Sequence, residues 1–192
     1  MNMYWELNRF SHSTFKDVYI DNSMLKAVNW SNCILKTIDF TNSLIFASNF
    51  QNSEINNLNI KNARAETTNF SNSKINQMNV LSSDFKFALF LESTINNLDF
   101  KLCDLRKTNF SRVDLQNSSF NSNNLNDSNF YCATFSNSQI NNSYLSFMNL
   151  SKSKLINSKI YNSNLRNANL RMAKMENIAL KGNLTEGILT NN

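Results

Sequence analysis

The sequence has no proline and only two glycines, Gly182 and Gly187, both near its C-terminal end. A chain that turns often without either residue needs another route into left-handed backbone angles. Asn tolerates those angles, and Asn and Ser are both abundant here. His12 is the single histidine and falls at a predicted corner, so Ser-His-Asp and Cys-His arrangements have no base to draw on and a His-rich metal site is excluded. The three cysteines are an odd number and give no disulfide framework. No apolar run approaches the ~18 residues of a membrane span, and no glycine-rich phosphate loop occurs before Gly182. The opening MNMYWELNRF lacks the basic and apolar regions of a signal peptide. These absences predict a soluble, cytoplasmic, non-enzymatic chain without cofactor or metal.

What the sequence does contain is a period of five. An apolar residue stands at every fifth position from Trp5 through Phe10, Phe15 and Ile20 to Met175 and Leu180, and Ala65 is the only small one. Two residues earlier a small residue is favoured, as at Ser23, Cys33, Ser43 and Ala63. Two residues later Asn is favoured, as at Asn22, Asn32, Asn42 and Asn52. A helix would scatter residues spaced by five around its circumference. An uninterrupted strand would put successive ones on opposite faces. A short extended segment followed by a corner satisfies both, with each pentad forming one side of a polygonal coil.

Residues stacked in neighbouring coils should resemble one another, and a spacing of twenty achieves this. It lines up Phe10, Trp30, Phe50, Phe70, Phe90, Phe110 and Phe130, and also the large residues Val18, Ile38, Leu58, Met78 and Leu98 at a position that is otherwise small. Four pentads per turn predict an all-β rod of about nine coils, ~43 Å long at the usual ~4.8 Å strand spacing. Pentads such as Thr108-Asn109-Phe110, Ser128-Asn129-Phe130, Ser163-Asn164-Leu165 and Ala168-Asn169-Leu170 resemble those of the pentapeptide-repeat proteins, over roughly residues 3 to 181. The resemblance implies a right-handed quadrilateral β-helix and a bacterial, cytoplasmic protein. The five large residues depart from the pattern and predict a wider or distorted wall in the first coils.

The period is expected to end after Leu180, so residues 1–181 are assigned to the β-helix and 182–192 to a C-terminal cap or dimerisation tail. The resemblance implies a homodimer contact at this end, and Leu184, Ile188 and Leu189 are its candidates. Cys33 and Cys103 occupy inward small positions as apolar fillers, whereas Cys132 falls at a corner with no cationic neighbour in the sequence.

Two outward features remain as candidate binding surfaces. Residues 1–100 carry 8 Lys or Arg against 9 Asp or Glu, and residues 101–192 carry 11 against 5. In the twenty-residue coil, Arg112, Lys152, Lys154, Arg171 and Lys174 map near one edge as a basic strip suited to nucleic acid, an anionic surface or an acidic protein. Leu81, Phe87, Leu89, Leu91 and Leu102 form an apolar partner patch encircling about one coil, with Phe46 and Phe147 as outliers. The expected function is that of a non-enzymatic binding or scaffold protein with a protein partner. The resemblance also implies an alternative, binding to a type II DNA topoisomerase (gyrase) with quinolone protection. The net charge of +5 departs from the acidic, DNA-mimicking form of that activity. A third reading is a nucleic-acid-binding rod that uses the basic C-terminal half.

Overall fold

The computed structural model describes residues 3–191, which wind into a four-sided β-solenoid of parallel segments and contain no helix. Each residue pairs with the residue twenty positions on: Leu35 with Ile55, Leu115 with Phe135, and Asn129 with Asn149. This register creates four walls. Face I is centred on Trp30, Phe50 and Phe70, face II on Leu35, Ile55 and Ile75, face III on Phe40, Ile60 and Val80, and face IV on Ile45, Ala65 and Phe85. These central side chains are all buried. Along face I the rings stack nearly parallel, with Phe50–Phe70 at 4.7 Å, Phe70–Phe90 at 5.0 Å, Phe90–Phe110 at 4.7 Å and Phe110–Phe130 at 4.6 Å.

The corners explain the scarcity of glycine. From Leu7 to Gly187, every fifth residue except Gln77 has a positive φ, close to +50° to +70°. Asn fills many of these sites because it enters the left-handed region at lower cost than other L-residues. The corner at 45–48 is a tight turn: Ser48 N–H donates to Ile45 O at 3.3 Å and φ of Ala47 is +55°. That combination is the signature of a type II turn.

The abundant Ser has a related cause. In the column that runs from Ser23 to Asn183, the polar side chains Ser23, Ser43, Ser83, Asn123, Ser143, Ser163 and Asn183 each accept the backbone N–H of the coil before them, while Ala63 and Cys103 fill the same position without doing so. Examples are Ser23 N to Ser43 Oγ at 3.2 Å and Ser143 N to Ser163 Oγ at 3.2 Å. Ser143 Oγ also donates to Asn141 O at 2.8 Å. Buried corner amides and carbonyls are thereby satisfied without water.

The large residues expected to distort a wall are accommodated by a different corner. Ile38, Leu58, Met78 and Leu98 are fully buried. At this site Leu58 N bonds directly to Gln77 O and Met78 N to Asn97 O. Consequently Thr14–Asp21, Ile34–Thr41 and Glu54–Lys61 run through the corner between faces II and III as single strands. From Ser118 onward a hydroxyl mediates instead, with Ser118 N donating to Ser138 Oγ at 3.0 Å, and the strand divides into Asp114–Gln116 and Ser119–Asn121.

The expected break after Lys181 does not interrupt the winding. Gly182 and Gly187 occupy the next two corners at φ +70° and +69°. Leu184 bridges to Asn164 and Leu189 to Asn169. Asn183 takes over the role of the corner Ser, accepting Ser163 N–H at 2.9 Å and donating to Ile160 O at 2.8 Å. Only the occupancy of the pentad changes, since Thr185 and Thr190 replace the large apolar residue. The segment from 182 to 190 is therefore the last half coil, and its hydrogen bonds are made by the backbone whatever side chain stands at the fifth position. Met1, Asn2 and Asn192, which belong to the two expected segments, lie outside the described residues.

Candidate binding surfaces

Outward side chains occupy two columns on each face and one at each corner, and the register decides which of them meet. Face I carries an ordered polar array. Asn29, Asn49, Asn69, Asn109, Asn129, Asn149 and Asn169 each turn their Oδ1 to the N–H two residues on, as in Ser71 N to Asn69 Oδ1 at 2.9 Å and Ser111 N to Asn109 Oδ1 at 2.9 Å. This local bond braces the chain before it enters the corner. Neighbouring amides are also linked along the rod, Asn149 Nδ2 to Asn129 Oδ1 at 3.1 Å for example.

Leu89 interrupts that column, and it lies between Phe87, 50% exposed, and the half-buried Leu91 on the same wall. The remaining members of the expected apolar patch are elsewhere. Leu81 and Leu102 sit at the corner between faces III and IV, the full width of face IV away from the corner that holds Phe87, so the five residues form two separate clusters. Proximity in sequence suggested one ring, but successive pentads face different directions. Lys107 Nζ lies over the Phe87 ring at 5.7 Å and partly covers it. Of the outliers, Phe147 is exposed two coils beyond Lys107 in the corner column of Phe87. Phe46 lines a groove on face IV.

That groove, formed by Tyr4, Met24, Lys26, Leu44, Phe46 and Arg64, was not found by sequence reasoning. The signal for it was present in the outward columns Tyr4, Met24, Leu44 and Lys26, Phe46 at the twenty-residue spacing. Both rim cations are already engaged, Lys26 by Glu6 at 2.8 Å and Arg64 by Glu66 at 2.9 Å. Further along face IV, Asp84–Lys86 at 2.9 Å and Asp104–Arg106 at 2.7 Å continue this series of ion pairs.

The five cations of the expected strip all fall along the corner between faces I and II, but they differ in state. Arg112 is held by Glu92 at 2.8 Å, which raises its pKa through that hydrogen bond. Lys152 Nζ donates to Tyr131 Oη at 3.1 Å and lies 5.4 Å from its ring centroid, and the hydrogen bond raises its pKa. Lys154, Arg171 and Lys174 are exposed and make no ion pair among the described residues. Lys154 and Lys174 are directly paired in register on face II.

Cys132 stands in the same corner column between Arg112 and Lys152, so it does have the cationic neighbours that its sequence surroundings lack. Cys33 and Cys103 are buried, and burial pushes the Cys103 thiol up to about 11. His12 is an exposed corner residue with φ +62°. Among the described residues no group of His, Cys, Asp and Glu converges as metal ligands do, and no helix is long and apolar enough to cross a membrane. The expected end contact divides too: Ile188 packs against the core, while Leu184 and Leu189 are 51% and 40% exposed.

Comparison with known proteins places this geometry. No curated protein matches the sequence. Among solved structures, the chain is similar to a trypsin-treated form of QnrB1, a plasmid-mediated fluoroquinolone resistance protein. The likeness has a TM-score of 0.60 and 17% identity, and covers 91% of this chain and 87% of that one. It is also similar to HetL, a pentapeptide repeat protein involved in heterocyst differentiation regulation in the cyanobacterium Nostoc sp. strain PCC 7120. There the TM-score is 0.55 and the identity 14%, over 96% and 89% of the two chains. At these identities the likeness concerns the fold. The Pentapeptide repeats profile matches in eight copies across residues 83–121, 108–146 and 143–182; together with the pentad register, this shows that the chain belongs to the pentapeptide-repeat family.

Proposed function

We propose that the chain is a non-enzymatic binding rod that docks a partner protein on face I at Phe87, Leu89 and Leu91. The observation that carries this reading is the substitution of Leu for Asn at position 89. Every neighbouring site in that column, from Asn29 to Asn169, uses its amide to brace the following corner. Leu89 forgoes that bond and leaves apolar surface in water, 38% exposed. A residue that gives up a structural bond to present an apolar side chain on a rigid wall is suited to contact with another protein.

The test is affinity capture from a native lysate with the full chain and with the variants Leu89→Asn and Phe87→Ser. The expected result is a partner retained by the native chain and lost with both variants while their folding is preserved. A partner retained by all three would overturn the site. Gyrase supercoiling in the presence of the chain tests a topoisomerase as that partner. The net charge of +5 does not match an acidic DNA mimic, and inhibition that survives Leu89→Asn would relocate the docking surface.

A further inference from the structure

The charge of this protein is unevenly placed. Residues 151–192 carry seven Lys or Arg against two carboxylates, which equals the whole formal net charge of +5. Four of those cations lie within two successive coils at one corner. Lys152 and Arg171 stand on the ridge and its face I side, and Lys154 and Lys174 on face II. All four are exposed, and none forms an ion pair among the described residues.

Like charges stacked in register elsewhere in the rod have at least one member compensated on its own coil. Asp84 and Asp104 are bridged neighbours, and each holds a cation, Lys86 and Arg106. Lys16 and Lys36 are also paired, and Lys16 has Asp17 at 3.6 Å. Lys154 opposite Lys174 has no such partner. Two like charges ~4.8 Å apart in a ladder destabilise it, and an external anion would relieve the repulsion.

We propose that this corner binds the phosphate backbone of a nucleic-acid duplex without sequence preference. The ridge is convex and carries cations on both of its walls, a shape that fits against the phosphates bordering a groove ~12 Å wide. A duplex presents about one negative charge per ~1.7 Å of axis, so one contact neutralises the stacked lysines and their ridge neighbours together. An acidic protein surface would have to supply separately positioned carboxylates to do the same. Lys152 is already oriented, since its Nζ donates a hydrogen bond to Tyr131 Oη at 3.1 Å. The site uses none of the face I residues assigned to the partner protein, so the two proposals stand or fall independently.

The experiment is fluorescence anisotropy of the full chain with a labelled 20-bp DNA duplex of arbitrary sequence, titrated at several salt concentrations. Four phosphate contacts predict a log–log salt slope of about −3 to −4 and roughly a hundredfold loss of affinity between 50 and 200 mM salt. The double variant Arg171→Glu, Lys174→Glu should lower the slope by about two and weaken binding more than tenfold. Lys61→Glu with Lys101→Glu on face III changes the net charge equally and should alter affinity less than threefold. Leu89→Asn should leave duplex binding unchanged. Equal losses in the two double variants, or a slope near zero, would overturn the proposal. Polyglutamate bound as tightly as the duplex would also overturn it, in favour of an acidic protein ligand.

Discussion

Replacing Leu89 by Asn separates a structural role for this side chain from a binding role, and the structure allows the stability change to be worked out. Complete burial of a leucine contributes ~1.5–3 kcal/mol. Leu89 is 38% exposed, so its partial burial contributes about 1–2 kcal/mol. Against this, the introduced amide lies where those of Asn69 and Asn109 lie. It would accept the N–H of Leu91 as they accept Ser71 and Ser111 at 2.9 Å. It would also join the chain of amides seen between Asn129 and Asn109 at 3.4 Å and between Asn149 and Asn129 at 3.1 Å. Two new hydrogen bonds at ~0.5–1.5 kcal/mol each offset the lost contacts, and the net change is expected within about 1 kcal/mol of zero. Urea unfolding followed by circular dichroism measures it, provided the slope of free energy on denaturant is unchanged. Destabilisation above ~2 kcal/mol, the usual outcome for an apolar residue whose packing holds the fold, would make Leu89 a structural contact. The docking reading of face I would then lose its support.

Phe90→Ala should be far more damaging. The ring is fully buried between Phe70 at 5.0 Å and Phe110 at 4.7 Å, so a loss of ~3–5 kcal/mol is expected. Hydrogen exchange should show the loss concentrated in the coils on either side, as nearest-neighbour coupling requires. Gly182→Ala should destabilise by ~1–2 kcal/mol, the cost of a left-handed L-residue, because φ is +70° and the added methyl would also meet Asn162 Oδ1; unchanged thermal unfolding would contradict this. Stability should be flat near neutrality and fall in acid. Glu6 has a lowered pKa because Lys26 and Tyr4 donate to it. Burial by itself would raise Asp104, but the bonds from Arg106 outweigh it and the pKa is lowered. Groups with a depressed folded pKa stabilise above the unfolded value, about 4, and that contribution is lost as pH falls through the folded pKa. Asp104→Asn should therefore flatten part of the acid limb of a pH-dependent melt.

Much of this architecture is legible without coordinates because one constraint repeats. A large residue at every fifth position and similar residues at every twentieth define which side chains face inward, where the corners lie and how many walls there are. The Asn-rich corner sites follow from the scarcity of glycine, and the cations of the basic strip could be placed on one edge because the coil length had been read correctly. The same arithmetic applied to Leu81 and Leu102 would have separated them from Phe87, Leu89 and Leu91; adjacency along the chain obscured it. The continued winding of 182–190 was not legible because a Thr at the fifth position looks like the end of the pattern. The backbone hydrogen bonds of a coil do not depend on that side chain.

Only the tertiary structure decided how side chains twenty residues apart use one another. That Arg112 is occupied by Glu92 while Lys154 and Lys174 face each other uncompensated depends on distances between coils. That Asn69 and Asn109 brace their corners, and that Leu89 therefore marks a departure, depends on where each amide points. Periodicity determines the path of the backbone because every repeat adds to the same inward burial. Pairing on the outer walls is set residue by residue, by reach and geometry between neighbouring coils.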